Sequence, residues 1–245
     1  ANDLQKAAAT LYDRILDRNL LIRRLSISAN KLLDEAEAPN GHEAEQMDLF
    51  TDYSAREARE QADEAAHARE RVAADQAENS LDVLQAQCRT LGRGKGERFQ
   101  AALAKPELSF ICEVKKASPS KGIIAKEFPY LDIARDYERA GADAISCLTE
   151  PKWFLGSDQI FREIRGAVDT PMLRKDFTVD EYMIYEAKLL GAKAVLLICS
   201  ILTQKQIEDH IAVCDTLGLS ALVEAHDEAE IAVAVNSGAR LIGVN

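Results

Sequence analysis

The chain is 245 residues long, carries a formal net charge of -11 and is 47% hydrophobic, which suits one large globular domain or two small ones. An acidic balance of this size argues against a general nucleic-acid binder and against a membrane-surface binder. No apolar run approaches the roughly 20 residues of a membrane span, and the start Ala1-Asn-Asp-Leu-Gln-Lys6 has neither the basic nor the apolar region of a secretion signal.

From the N-terminus, Leu4 to Leu16 has helical spacing, and Leu21-Ile-Arg-Arg-Leu-Ser-Ile-Ser28 alternates loosely like a strand. An acidic, polar linker with Pro39-Asn-Gly41 follows. Ser54 to Glu78 is rich in Ala, Glu and Arg and predicts a helix. Large apolar residues are nearly absent from it, so it is expected to be exposed or loosely docked. Gly92-Arg-Gly-Lys-Gly96 then reads as a basic loop; it lacks the spacing of a phosphate-cradling Walker motif. The predicted organisation is a fragment at 1–34, a linker at 35–60, a helical extension at 61–108 and a βα region at 109–245.

In that last region apolar runs recur at Phe110–Val114, Ala144–Leu148, Met172–Leu173, Ala194–Cys199, Ala221–Val223 and Leu241–Val244. Thr178 with Glu181, and Thr203 with Gln206, have capping-box spacing. Gly141-Ala, Gly191-Ala and Gly238-Ala each precede an apolar run, where a helix stop belongs. Short continuous strands alternating with helices predict a parallel sheet covered by helices. Cys88, Cys112, Cys147, Cys199 and Cys214 are odd in number and show no CxxC spacing, and three stand in apolar runs. They predict a reduced, cytosolic protein with no structural zinc.

The strand ends carry the chemistry. Glu113 and Lys115 are two positions apart, so they point to one face of a strand. An edge-strand salt bridge and an active-site pair both fit that spacing. Glu150 ends the second run, Lys175-Asp176 the third, Ser200 follows the fourth, and Glu224 and Asn245 end the fifth and sixth. Polar residues at the carboxyl ends of successive parallel strands are the pattern of a βα-barrel active site.

Residues from about Ala62 to Asn245 resemble indole-3-glycerol-phosphate synthases. The likeness is carried by Glu113-Val-Lys-Lys-Ala-Ser-Pro-Ser-Lys-Gly122, Leu148-Thr-Glu-Pro-Lys-Trp-Phe-Leu-Gly156, Leu173-Arg-Lys-Asp-Phe177, Leu222-Val-Glu-Ala-His226 and Gly243-Val-Asn245. The resemblance implies a (βα)8 TIM barrel with an N-terminal helical extension. It implies ring closure with decarboxylation and dehydration of 1-(2-carboxyphenylamino)-1-deoxyribulose 5-phosphate in tryptophan biosynthesis, with no metal and no organic cofactor. By the same likeness Lys175 is the general acid and Glu224 the carboxylate beside the substrate amine. Glu113 and Lys115 are the first-strand pair, Asn245 an orienting amide, and Ser118 a substrate contact. Phe154 and Phe177 would wall the anthranilate ring, with core packing the equal alternative.

Only six strands are legible, so the barrel is expected to be incomplete. The family's phosphate-binding turns on the seventh and eighth strands have no counterpart, and the chain alone is expected to be inactive or weakly active. Residues from about Leu4 to Tyr53 resemble the C-terminal end of a Y-family DNA polymerase. There Leu20-Leu-Ile-Arg-Arg-Leu-Ser-Ile-Ser-Ala-Asn30 is similar to a last strand of its DNA-gripping domain. Gln46-Met-Asp-Leu-Phe50 is similar to a sliding-clamp-binding pentapeptide, with Leu49 and Phe50 as apolar anchors and Gln46 as the polar end. Three alternatives to the synthase stand beside it: a clamp-binding tail, an inactive fusion or truncation product, and another phosphate-binding barrel such as phosphoribosylanthranilate isomerase.

Overall fold

The structure is a computed structural model that describes residues 53–92, 97–106, 108–119, 121–124 and 127–245. The polymerase-like and clamp-binding-like segments, with Gln46, Leu49 and Phe50, lie outside the described residues.

Three helices come first: α1 (Tyr53–Glu78), α2 (Leu81–Thr90) and α3 (Glu97–Leu103). Next come β1 (Ile111–Val114), a short hairpin of β2 (Ala117–Ser118) and β3 (Gly122–Ile123), and α4 (Tyr130–Arg139). Strand and helix then alternate: β4 (Ala144–Leu148), α5 (Asp158–Ala167), β5 (Met172–Lys175), α6 (Glu181–Leu189), β6 (Ala194–Ile198), α7 (Gln204–Leu217), β7 (Ser220–Ala225), α8 (Glu228–Asn236) and β8 (Leu241–Val244). Among the described residues the main sheet has six strands in the order β1-β4-β5-β6-β7-β8, and every neighbouring pair is parallel. This is the predicted six-strand (βα) arrangement, a curled half of a TIM barrel. The β2–β3 hairpin, formed within the Ser-Pro-Ser-Lys-Gly loop, was not expected.

Local chemistry explains the helix ends. Gly141, Gly191 and Gly238 take φ of 84°, 83° and 78°, a left-handed conformation that a side chain would strain. Thr203 and Gln206 form the expected capping box of α7. The other predicted box does not form. Helix α6 starts on Asp180, whose carboxylate accepts the Tyr182 N–H at 2.8 Å, because Asp180 stands one residue before the helix and Thr178 stands too early.

The strand period of two sorts the core into two layers. Val114, Ile145, Cys147, Met172, Val195, Leu197, Ala221 and Val223 pack outward under the helices. Leu173, Ala194, Leu196, Ile198 and Leu222 pack inward, joined by Phe99 of α3, which touches β4 and β7. Register carries the inward face from strand to strand: Glu113 pairs with Ser146, Ser146 with Leu173, Leu148 with Lys175, and Ile198 with Glu224. Charged strand-end residues therefore sit on the same side as the inner apolar layer, above it.

Helix α1 corrects the sequence reading. It is docked, with Ala65, Ala68 and Val72 buried in the inner cluster. Small residues let the helix approach closely, so a large apolar stripe is not needed. The cysteines are all free thiols; burial pushes Cys147 up to about 12 and Cys199 up to about 11, so neither is a thiolate nucleophile at neutral pH. No helix among the described residues is long and apolar enough to cross a membrane.

Candidate active site

Two charged groups stand at the carboxyl ends of the strands. In the first, the Lys115 ammonium lies 2.8 Å from the Glu113 carboxylate. Ser146 donates to the same carboxylate at 3.3 Å, and the Tyr137 hydroxyl donates to the Glu113 backbone carbonyl at 3.1 Å. The pair is one-quarter exposed, so it is an ion pair that a ligand can reach. Both sequence readings of this strand, salt bridge and site, are therefore compatible.

The second group joins three strand ends. Lys175 Nζ lies 3.6 Å from Glu224 Oε2, and the Asn245 amide donates to Glu224 Oε1 at 3.4 Å. His226 reaches Glu224 only at 4.0 Å, because its ring Nδ1 is held by Glu230 at 3.0 Å. The expected Lys175–Glu224–Asn245 constellation is thus assembled by β5, β7 and the residue after β8. Among the described residues no hydrogen bond or ion pair is seen between it and Glu113–Lys115.

The remaining expected residues separate in kind. Phe154 and Phe177 approach with ring centroids 6.1 Å apart and planes at 46°. Phe177 is buried and Phe154 packs against the same inner cluster, which leaves Phe154 the more accessible ring. Ser118 sits in the hairpin, paired with Gly122.

Glu150, which the strand-end pattern suggested for chemistry, is wholly buried and serves its own loop. Its carboxylate accepts the N–H groups of Lys152, Trp153 and Phe154 at 2.7–3.0 Å, and its carbonyl accepts the Gly156 N–H at 2.8 Å. A Cβ at Gly156 would collide with the Leu148 carbonyl, and Leu155 is held at a φ of 52°. This loop is a fixed platform that delivers Phe154 to the rim.

The residues flanking Lys175 are clamped. Arg174 donates to the Met183 carbonyl at 3.0 Å, to Asp158 at 3.1 Å and to Glu186 at 3.2 Å. Asp176 accepts from Arg71 at 2.6 Å, from Thr149 at 2.7 Å and from the Phe177 N–H at 2.9 Å. Burial alone would raise the Asp176 carboxyl, but the Arg174 and Arg71 guanidiniums and two hydrogen bonds overcome it and hold it below the usual range. With both neighbours anchored, the backbone beneath Lys175 has little freedom. A cavity of about 220 Å³ opens beside this network, lined in part by Arg71, Thr149, Asp158 and Arg174; Lys175 and Glu224 do not line it.

Sequence reasoning missed the part played by α1. Gln61 bonds Ser200 at 2.5 Å and His226 at 3.3 Å, His67 lies 3.5 Å from Glu150, and Arg71 grips Asp176. The helix lies across the mouth on a polar stripe. The signal was present in the spacing of 61, 64, 67 and 71, which fall on one helical face.

The family model for "Indole-3-glycerol phosphate synthase" matches residues 62–245, three-quarters of the chain. The chain belongs to the indole-3-glycerol phosphate synthase family. Curated members of that family similar to it include one from Ruminiclostridium cellulolyticum, 58% identical over 147 residues that cover 60% of this chain and 56% of that protein. Another, from Lachnoclostridium phytofermentans, is 54% identical over 60% of this chain and 54% of its own length. The indole-3-glycerol phosphate synthase of Lacticaseibacillus paracasei is 49% identical over 71% of this chain and 67% of that protein. The chain spans little more than half the length of the first two synthases. Among solved structures, the carboxyl transferase domain of Rhizobium etli pyruvate carboxylase aligns with a TM-score of 0.44 and 15% identity, over 66% of this chain and 31% of that one. No chemistry follows from that likeness.

Proposed function

We propose that this chain carries the active-site half of an indole-3-glycerol-phosphate synthase, a carbon–carbon lyase. The substrate is 1-(2-carboxyphenylamino)-1-deoxyribulose 5-phosphate and the products are indole-3-glycerol phosphate, carbon dioxide and water. The observation that supports this best is Lys175 at 3.6 Å from Glu224, itself held by Asn245, above an inner apolar layer. The ring carbon bearing the carboxylate attacks the substrate ketone while Lys175 gives its proton to the ketone oxygen. Loss of carbon dioxide restores the aromatic ring. The new hydroxyl then leaves as water with a proton from Lys115, which Glu113 orients and resupplies. Glu224, fixed by Asn245, faces the cationic nitrogen that dehydration creates and accepts the ring-methylene proton whose loss completes the neutral indole. Ser118 contacts the substrate, and Phe154 with Phe177 walls its ring.

The test is formation of fluorescent indole-3-glycerol phosphate by the purified protein. Binding of an analogue whose ketone is reduced to an alcohol, and so cannot close, is the second readout. Saturable analogue binding with weak product formation is expected. The absence of both turnover and analogue binding would remove the assignment.

The segment resembling a polymerase end supports a separate proposal, that Gln46, Leu49 and Phe50 dock on a bacterial sliding clamp. A clamp pull-down is expected to retain the protein and to lose it on the double change Leu49→Ala/Phe50→Ala. Equal retention of both forms would dispose of the proposal.

A further inference from the structure

His226 follows β7, two positions after Glu224, so strand alternation turns both side chains to one face. No step above gives it a task. Its neighbours fix what the ring can do. Glu230, in the first turn of α8, accepts the His226 backbone N–H at 2.8 Å and meets ring Nδ1 at 3.0 Å with the same oxygen. An ionised carboxylate only accepts, so Nδ1 carries the hydrogen and Nε2 keeps its lone pair. The other side of the ring agrees. Ser200 donates to Gln61 Oε1 at 2.5 Å, which leaves the Gln61 amide nitrogen 3.3 Å from Nε2. An NH2 group beside a ring nitrogen forms a hydrogen bond only if that nitrogen accepts. Neighbours from α8 and from α1 thus select the same tautomer. The same Nε2 lies 4.0 Å from Glu224 Oε1, the oxygen that also takes the Asn245 amide. Lone pairs face each other across that gap, so Glu224 and His226 can bond only when a proton is placed between them.

We propose that His226 is a positioning residue that acts through Glu224: it receives the proton that Glu224 takes from the ring methylene and passes it to water. The kinetic consequence rests on the synthase reading given above; the tautomer and its link to Glu224 do not. The step balances. The methylene C–H bond breaks, its electron pair completes the neutral indole, and the proton goes to the Glu224 carboxylate. From there it moves to Nε2, which leaves Glu224 ionised again and His226 as an imidazolium. Glu230, on Nδ1, faces the new positive charge. Transfer across 4.0 Å needs a short approach of the two groups or one bridging water. Once Nε2 is protonated the Gln61 amide can no longer donate to it, so the resting contact with α1 reforms only after the proton leaves. The His226 side chain is 28% exposed, which gives that proton a route to solvent.

The experiment reads the His226 ring nitrogens by nitrogen-15 NMR of the full chain, with the ring neutral and its signals identified by their loss in His226→Gln. Nδ1 is expected to bear the hydrogen and Nε2 to be bare. Glu230→Ala is expected to move the hydrogen to Nε2, where Glu224 can accept it. Glu224→Gln is expected to shift the Nε2 signal, because an amide NH2 can bond the lone pair that a carboxylate cannot. A hydrogen on Nε2 in the unmodified protein overturns the proposal, and so does an Nε2 signal unmoved by Glu224→Gln. Kinetics supply the second arm. His226→Gln is expected to lower the turnover number by roughly tenfold or more with KM held within about twofold. Imidazole added to the assay is expected to restore part of the turnover of His226→Ala, which a purely structural loss would not allow. Unchanged turnover in His226→Gln, or no recovery with imidazole, overturns the relay. A protein without turnover, in which the tautomer and its response to Glu224→Gln hold, supports the link and removes the assigned reaction, so the two failures are told apart.

Discussion

Asp176→Ala is expected to destabilise the protein by about 3–5 kcal/mol, because it removes one partner from a buried charge network. Arg174 would keep Asp158 and Glu186. Arg71, whose guanidinium donates twice to Asp176, would lose its anchor, and α1 would lose its hold on the β5 end. Thr149 would lose its acceptor in the same place. Denaturant unfolding measures the loss; a change under about 1 kcal/mol, typical of an exposed pair, would show that the network carries little of the stability. The pH dependence has a definite sign. Because the folded-state carboxyl of Asp176 is held below its ordinary value, its contribution is present above that ordinary value and is lost as pH falls through the folded one. Glu64, a buried carboxyl of α1, runs the other way. Its folded value is raised to about 7, so its contribution is complete below its ordinary value and is lost as pH rises through about 7. The protein is thus expected to be weakened at both ends by different carboxyls, and Asp176→Ala should abolish mainly the acid-side dependence.

Lys175→Ala is expected to lower turnover by at least about 100-fold, the low end of what a positioned proton donor contributes, while binding of the reduced analogue largely survives. Stability should change little, since the ammonium is 28% exposed on its side chain and Glu224 keeps Asn245 as a partner. Near-normal turnover in this variant would take Lys175 out of the acid role and shift it to Lys115. The two predictions concern adjacent residues with opposite duties. The strand alternation puts Lys175 on the inner face, in the mouth, and sends Arg174 and Asp176 into the surrounding framework. A change at 176 should therefore read out in stability, and one at 175 in rate.

Much of this was legible without coordinates. The six apolar runs became six strands, and the Gly-Ala punctuation marked three helix ends. Glu113, Lys115, Lys175, Glu224 and Asn245 all lie at strand ends. The reason is that these signals are local: a strand's period, a left-handed turn and a residue's place after an apolar run depend on a few neighbouring positions. The capping box at Thr178 failed for the same local reason, since Asp180, two residues on, is a better-placed acceptor.

Three matters were decided only by the folded structure. Glu150 has the appearance of a strand-end acid, and only the fold of its own loop shows its carboxylate consumed by three backbone N–H groups. Phe154 and Phe177 are equal candidates in the sequence, and burial distinguishes them. Helix α1 appeared unattached because its composition is polar and alanine-rich, and its docking became apparent only once residues more than a hundred positions away were brought beneath it, as with Gln61 and Ser200 or Arg71 and Asp176. By itself, the sequence determined the βα class, the strand ends and the types of group that stand there, because the periodicities of strand and helix encode them. Tertiary structure alone decided which of those groups are committed to the framework and which face the mouth, because burial and hydrogen-bond partners are properties of residues that chain distance separates.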